Sequence, residues 1–421
     1  MHLRLPGDKS ISHRALMLAA LADGTSHLMN LSPGADLTAT RRSLAQCGIS
    51  IRKEGEEMIV EGCGGNFQSP KGDLDAGNAG TTARLLTGLL AGRGIHARLT
   101  GDASLSRRPM GRIATPLQQL GARIQMSPRG TLPLKLYPAS LGSLTYRLPV
   151  ASAQVKSALL LAGLASEGSV TVIEPVPTRN HTELMLQALG VDIQISGNHI
   201  TIGAGRQTIP PFTLAVPGDP SSAAFPVALA VLQRDMQLNI DDLLLNPTRM
   251  GFYHALQRMG AQVTWTSKRQ ALGEEVGSLT IRSSSLRGVK LSGDEIPALI
   301  DELPILAVLA TQAKGETVVR DADELRVKES DRIKAVCENL VRMGGRVQEL
   351  PDGFRILGPT SLRRATITTY SDHRIAMAFT VAGRIAAGTT TLDDPDCVEI
   401  SFPGFHQLID QVAGKISPGV P

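Results

Sequence analysis

Aromatic residues make up only 3% of this 421-residue chain, with a single Trp and four Tyr. So few rings leave little to stack on bases, and the 43 Lys and Arg are scattered without a long basic run. Nucleic-acid binders concentrate cations on one element beside aromatic rings, so nucleic acid is not an expected partner. The four cysteines, Cys47, Cys63, Cys337 and Cys397, lie far apart and show no CxxC or metal-ligand spacing. That excludes a disulfide framework and a cysteine-based metal site, and free thiols in a reducing cytosol are expected. Long apolar runs are missing too. The stretch at 158–164 is too short to span a bilayer, and the N-terminus has no apolar signal core. A cytoplasmic chain with no membrane partner is expected.

What is present is an aliphatic chain, 42% hydrophobic, with a formal net charge of +4 and a pI near 8.9. Packing by Ala, Leu, Val and Ile suits helices laid closely on sheets. A mild cationic excess without a basic patch favours small, strongly anionic substrates.

The chain repeats itself six times, roughly every 70 residues, which marks one supersecondary unit used over and over. Each copy opens an apolar helix with small or polar residues: Lys9-Ser10, Asn78-Ala79-Gly80, Ser152-Ala153-Gln154, Asp219-Pro220-Ser221, Asp301-Glu302-Leu303-Pro304 and Asp372-His373-Arg374. Five copies close a second periodic stretch with Cys47-Gly48, Leu120-Gly121, Leu189-Gly190, Met259-Gly260 and Met343-Gly344, and the sixth stops short. In the third copy, 155–164 has helical spacing, 169–173 is β-branched, 182–189 is helical again and 191–195 alternates as a strand. An α/β architecture of βαβ-type units is expected, with two domains of three repeats each and a linker near Pro217-Gly218-Asp219-Pro220. The tail from 415 to 421 has a disorder-like composition.

Helix N-termini attract anions, and most of these openings carry charge or paired polar groups. Lys9 and Ser10 precede a helix that holds Arg14 one turn inside, so ammonium, hydroxyl and guanidinium can meet at a phosphate or carboxylate. Gly80 permits close backbone approach, with Asn78 or Thr81 as a cap. Arg108 sits just before Pro109, where the chain is extended. Ser152 and Gln154 open the third helix and can cap it or meet a substrate. In the second half, Asp301 and Glu302 lie at the start of an apolar helix, and the run Lys328-Glu329-Ser330-Asp331-Arg332 is dense in charge. Arg374 stands at a sixth helix start, and His373 beside it is expected to be an orienting group, for no metal-ligand spacing surrounds it. Together these residues predict a site for two multiply charged anions with acid–base chemistry between them, in a cleft between the domains.

Six ordered motifs resemble the 5-enolpyruvylshikimate-3-phosphate synthases. They read Pro-Gly-Asp-Lys-Ser-Ile-Ser-His-Arg, Gly-Asn-Ala-Gly-Thr-Thr-Ala-Arg-Leu, Ser-Arg-Arg-Pro-Met, Ala-Ser-Ala-Gln-Val-Lys-Ser-Ala, Arg-Val-Lys-Glu-Ser-Asp-Arg and Ser-Asp-His-Arg-Ile-Ala-Met, between Leu3 and Phe405. The resemblance implies a two-domain inverse α/β barrel, the enolpyruvyl transferase fold, of six βαβαββ units. It places the domains at 11–215 and at 1–10 plus 216–421. It also implies transfer of the carboxyvinyl group of phosphoenolpyruvate to the 5-hydroxyl of shikimate 3-phosphate through a tetrahedral adduct, with no metal or organic cofactor, in a chain expected to be monomeric. Shikimate 3-phosphate would be held by Lys9, Ser10, Arg14, Ser152, Ala153, Gln154, Arg179, Asp301 and Lys328. Phosphoenolpyruvate would be held by Lys9, Asn78, Gly80, Arg108, Gln154, Arg332 and Arg374. Asp301, Glu329 and Lys9 would be catalytic: Asp301 takes the hydroxyl proton, Glu329 exchanges a methylene proton, and Lys9 stabilises the departing phosphate.

Ala153, Leu85 and Ile400 depart from many members of the family, and with Arg179 in Pro-Thr-Arg-Asn-His they match its second sequence class. In that class Gly80 is linked to glyphosate, and a sensitive enzyme is expected. The sister transferase acting on UDP-N-acetylglucosamine carries a reactive cysteine in the loop that reads Ala-Ser-Leu-Ser-Arg-Arg here. A non-catalytic anion-binding protein is the alternative from another class, and it predicts that Asp301→Ala retains full function.

Overall fold

The computed structural model describes residues 1–414, and the tail from 415 lies outside the described residues. The described chain divides into two compact units. The first comprises Pro6–Pro217 with Gln270–Glu274, and the second comprises Met1–Leu5, Gly218–Arg269 and the chain from Glu275 onward. Compactness puts the first crossing at Leu5/Pro6, five residues before the expected boundary after Ser10, because the N-H of Asp8 is already bonded to the Pro217 carbonyl at 2.7 Å. A second departure is the short segment Gln270–Glu274, which no sequence signal assigned to the first unit.

Each repeat contributes two helices. The first unit holds α1 (Lys9–Leu21), α2 (Ala35–Gln46), α3 (Gly80–Gly92), α4 (Gly111–Gln119), α5 (Ala153–Gly163) and α6 (His181–Ala188). The second holds α7 (Pro220–Leu232), α8 (Gly251–Arg258), α9 (Leu303–Gln312), α10 (Arg332–Arg342), α11 (His373–Ile385) and α12 (Phe405–Ala413). All six opening motifs start a helix. Asp8, Ser152, Asp219 and Asp372 each cap one by accepting a bond from a first-turn N–H. The five closing glycines share one reason. Gly48, Gly121, Gly190, Gly260 and Gly344 all adopt positive φ directly after a helix, the left-handed stop that a side chain disfavours.

Three four-stranded sheets of the first unit follow one plan. Strand Ala97–Thr100 lies between parallel Leu74–Asp75 and antiparallel Leu134–Tyr137, with Arg123–Gln125 outermost. Val170–Ile173 is flanked in the same way by Leu144–Arg147 and His199–Ile202, and Thr25–Met29 by Thr213–Ala215 and Glu57–Glu61. The parallel strand always comes from the preceding repeat, so the third repeat feeds the first and the unit closes on itself. In the second unit His2–Arg4 takes that place beside Gln237–Leu244, and Lys290–Leu291 beside Gly315–Val319. Among the described residues the last repeat keeps only Thr366–Ile367 against Thr391–Leu392.

The opening helices form the interior of each unit, since a helix apolar on every side must be buried. Leu303 through Thr311 of α9 and nearly all of α7 are buried. Between α3 and α5 the approach is close enough that a Cβ on Gly88 would stand 2.2 Å from the Ala158 carbonyl oxygen. Burying the helix bodies leaves their N-termini as the ends where polar side chains gather.

Candidate active site

In the first unit, Lys9 begins α1 and its Nζ lies 3.1 Å from Asp36 Oδ2 in the first turn of α2. Arg14, one turn further, is buried. Its Nε donates to Thr182 Oγ1 at 2.7 Å, Nη2 to Ser157 Oγ at 2.7 Å and Nη1 to the Ser10 carbonyl at 2.9 Å. Burial, foremost, lowers its pKa to about 10, and nearby Arg179 pushes in the same direction while Glu183 and Asp8 oppose. Arg14 thus ties the start of α1 to α5 and α6, and it brings Arg179 into the same neighbourhood.

The start of α3 carries the second group. Arg108 Nη2 donates to Asn78 Oδ1 at 2.6 Å, and Asn78 Nδ2 donates to Asp102 Oδ2 at 2.7 Å. A Cβ on Gly80 would stand 3.0 Å from Arg84 Nη1 and 3.3 Å from Arg108 Nη1, so this glycine faces two guanidiniums. Gln154, in the first turn of α5, accepts from Arg84 Nη1 at 2.6 Å and donates to Thr81 Oγ1 at 3.1 Å. Ser152 Oγ caps the same helix by accepting from Val155 N at 3.4 Å, and Ala153 is its first residue.

Behind these groups runs a chain of hydroxyls. Thr82 Oγ1 donates to the Asp36 carbonyl at 3.2 Å and shares a 2.7 Å bond with Thr40 Oγ1, which lies 2.7 Å from His13 Nδ1. Thr82 has one proton and gives it to Asp36, so Thr40 donates to Thr82 and His13 Nδ1–H donates to Thr40. The other ring nitrogen, Nε2, is buried with no hydrogen-bond partner among the described residues. Burial pushes the His13 pKa down to about 3, so the ring is neutral at pH 7.

The second unit builds its group around Arg332, the first residue of α10. Its Nε lies 2.9 Å from Asp372 Oδ2, its Nη2 2.6 Å from Glu329 Oε2 and its Nη1 3.4 Å from Asp301 Oδ1. Burial alone would lower this guanidinium's pKa. Asp372, Glu329 and Asp301 outweigh it, and the net direction is upward. Lys328 Nζ is 3.5 Å from the same Asp301 oxygen. Arg374 Nη1 donates to the Asp301 carbonyl at 2.9 Å and lies 3.4 Å from Glu302 Oε1. Directly before Asp372, Tyr370 (φ 57°) and Ser371 (φ 51°) are both left-handed, a backbone cost of the kind that functional turns retain.

Within the second unit, the structure therefore gathers Asp301, Lys328, Glu329, Arg332 and Arg374 into one cluster. Within the first, Asn78 holds Arg108, Gly80 faces both Arg108 and Arg84, Arg84 meets Gln154, and Arg179 lies near Arg14. Sequence reading missed Arg84, Asp36, Asp102 and the central part of Asp372. Arg84 had a signal: it follows Gly80 by four positions as Arg14 follows Ser10. Chemically, the first unit offers cations and amides to grip anions, and the second offers carboxylates pinned by a guanidinium, suited to proton transfer.

Similarity to known proteins covers the same residues. The sequence pattern of the family described as EPSP synthase (3-phosphoshikimate 1-carboxyvinyltransferase) matches residues 1–409. A 3-phosphoshikimate 1-carboxyvinyltransferase of Synechococcus sp. (strain JA-3-3Ab) is 47% identical over 418 residues, 98% of this chain and 94% of the relative. One from Brevibacillus brevis is 43% identical over 413 residues, 98% and 97% of the two chains. The solved structure of EPSP synthase from Acinetobacter baumannii has a TM-score of 0.87 at 40% identity, covering 98% of this chain and 95% of that one. The enolpyruvyl transferase NikO of Streptomyces tendae, with a TM-score of 0.76 at 19% identity, shares the fold.

Proposed function

The chain belongs to the EPSP synthase family, and from that premise we propose the residues through which it works. It is a transferase that moves the enolpyruvyl group of phosphoenolpyruvate onto shikimate 3-phosphate, in the biosynthesis of aromatic amino acids. Lys9, Ser10, Arg14, Ser152, Ala153, Gln154, Arg179, Asp301 and Lys328 hold shikimate 3-phosphate. Lys9, Asn78, Gly80, Arg108, Gln154, Arg332 and Arg374 hold phosphoenolpyruvate. The pinned carboxylates belong to the second unit and the Gly80–Arg108 group to the first.

Asp301 accepts the proton of the 5-hydroxyl as its oxygen bonds to the central carbon of phosphoenolpyruvate. Glu329 delivers a proton to the methylene carbon, completing a tetrahedral adduct, and takes one back from the resulting methyl as phosphate leaves. Lys9 offsets the charge on the leaving phosphate. The observation that carries this assignment is Arg332, which fixes both carboxylates with one buried guanidinium. A carboxylate anchored to a buried guanidinium keeps its proton-accepting geometry through the cycle.

Phosphate release from phosphoenolpyruvate, with and without shikimate 3-phosphate, tests the roles. Lys9→Ala, Asp301→Ala and Glu329→Ala are each expected to lower acceptor-dependent kcat by about 10²–10⁴. Undiminished turnover in any one of them removes that residue from the chemistry. A monomer in the cytoplasm goes with the reading, checked by light scattering and fractionation.

A further inference from the structure

Glu274 belongs to no motif read from the sequence, yet it is 1% exposed. It follows the tight turn that joins strand Gln262–Ala271 to strand Glu274–Arg282. In that turn Leu272 (φ 49°) and Gly273 (φ 81°) are both left-handed, the arrangement whose twist suits a hairpin. Leucine is costly there, so the turn is held by its surroundings. A Cβ on Gly273 would stand 2.6 Å from the Leu184 carbonyl oxygen of α6. The tip therefore lies on the backbone of α6 so closely that only glycine fits. Residues Gln270–Glu274 belong to the first unit, although Arg269 and Glu275 on either side belong to the second.

At the first residue of α6, His181 Nδ1 lies 2.7 Å from Glu274 Oε1, and both side chains are withdrawn from water. An Nδ1–H donating to a carboxylate out of water is a strong, directional bond. Arg179 stands two residues earlier. Its other flank is anchored as well: the Thr178 hydroxyl donates to Glu174, whose second oxygen accepts from buried Lys156 at 2.9 Å. Between them the Asn180 carbonyl accepts from Leu184 N at 3.0 Å. Arg179 is thus carried on a turn clamped at both ends by buried carboxylates.

Resting on the reading of Arg179 as a residue that holds shikimate 3-phosphate, we infer that Glu274 is a positioning residue for that substrate. Through His181 it fixes the turn that presents Arg179 to the phosphate of the acceptor. Glu274 itself makes no bond to either substrate. Removing its carboxylate leaves the Nδ1–H of His181 without that acceptor and frees one end of the turn.

Initial rates with each substrate varied in turn test this. Glu274→Ala is expected to raise KM for shikimate 3-phosphate at least about tenfold, with KM for phosphoenolpyruvate within about twofold of the parent. Glu274→Gln, whose amide oxygen still accepts from Nδ1–H, recovers most of the loss. Arg179→Ala shows the same asymmetry, and adding Glu274→Ala to it changes KM no further. Equal rises in both KM values, an unchanged KM for shikimate 3-phosphate in Glu274→Ala, or effects that multiply in the double variant overturn the role of Glu274. If Arg179→Ala itself leaves that KM unchanged, the reading of Arg179 falls and the inference falls with it. Should Glu274→Ala not fold, Glu274→Asp, which retracts the carboxylate by one methylene, decides: the same one-sided rise supports the role and no rise overturns it.

Discussion

Arg14 and Arg332 are both buried guanidiniums in the first two turns of a helix, one in each unit, and they are solvated in opposite ways. Arg14 is bonded to two hydroxyls and a carbonyl, and burial depresses its pKa. Arg332 is bonded to three carboxylates, which raise its pKa against the same burial. Neutral oxygens bond Arg14 without pairing its charge, so although Glu183 and Asp8 offset part of its field, an anion can neutralise the rest. Carboxylates cancel the field and are themselves fixed, so the second unit presents oriented bases. One guanidinium is kept for attraction and the other for geometry.

The sharpest way to break that contrast is Arg332→Met. Asp372 would remain buried without its cation, and breaking a buried pair typically costs about 3–5 kcal/mol. The single tryptophan, Trp265, lies in the second unit, so its fluorescence during urea unfolding reads this loss. Arg14→Met should cost less, about 1–3 kcal/mol, because the stranded partners are neutral hydroxyls and a carbonyl. A larger loss for Arg14→Met than for Arg332→Met would sink the distinction.

Acid sharpens the contrast further. Between pH 6.5 and about 3 the unfolded chain takes up a proton at His13 that the folded chain refuses. Stability of the first unit therefore falls as pH drops through that window. In the second unit, burial would raise the Asp372 carboxyl, but Arg332 holds it below its usual value of 3.8. That contribution is present above the ordinary carboxylate range and is lost only below it. Hydrogen exchange at pH 5 should accordingly show the first unit weakened before the second, and His13→Gln should flatten the slope. Equal weakening of the two units would contradict this account.

The smallest expected effect on stability is that of Gly80→Ala. The atoms nearest the added methyl are the ends of two arginine side chains, at 3.0 and 3.3 Å, so folding should change by less than about 1 kcal/mol. Binding is another matter, since one of those two ends, that of Arg108, is proposed to hold phosphoenolpyruvate. The inhibition constant for glyphosate should rise more than KM for phosphoenolpyruvate. An unchanged constant would count against Gly80 as part of the site.

The architecture was legible because it is written in local chemistry. Caps at Asp8, Ser152, Asp219 and Asp372 and left-handed glycines at the helix ends are short-range signals that recur four and five times. The charged openings were legible for the same reason. What escaped was every pairing across sequence distance: Lys9 with Asp36, Arg84 with Gln154, Arg332 with Asp372 and His181 with Glu274. The run from Glu324 to Arg332 is visibly dense in charge, but its partners are not legible: Arg326 turns to Asp331 and Glu349 while Lys328 and Arg332 turn to Asp301, a choice fixed by tertiary packing.

Strand His2–Arg4 finds its neighbour only at Asn239–Asp241. On a ribosome adding about 5–20 residues per second, that edge emerges roughly ten to fifty seconds before anything exists for it to join. This strand therefore waits on one made much later, and the second unit takes that edge from outside its own later stretch of sequence.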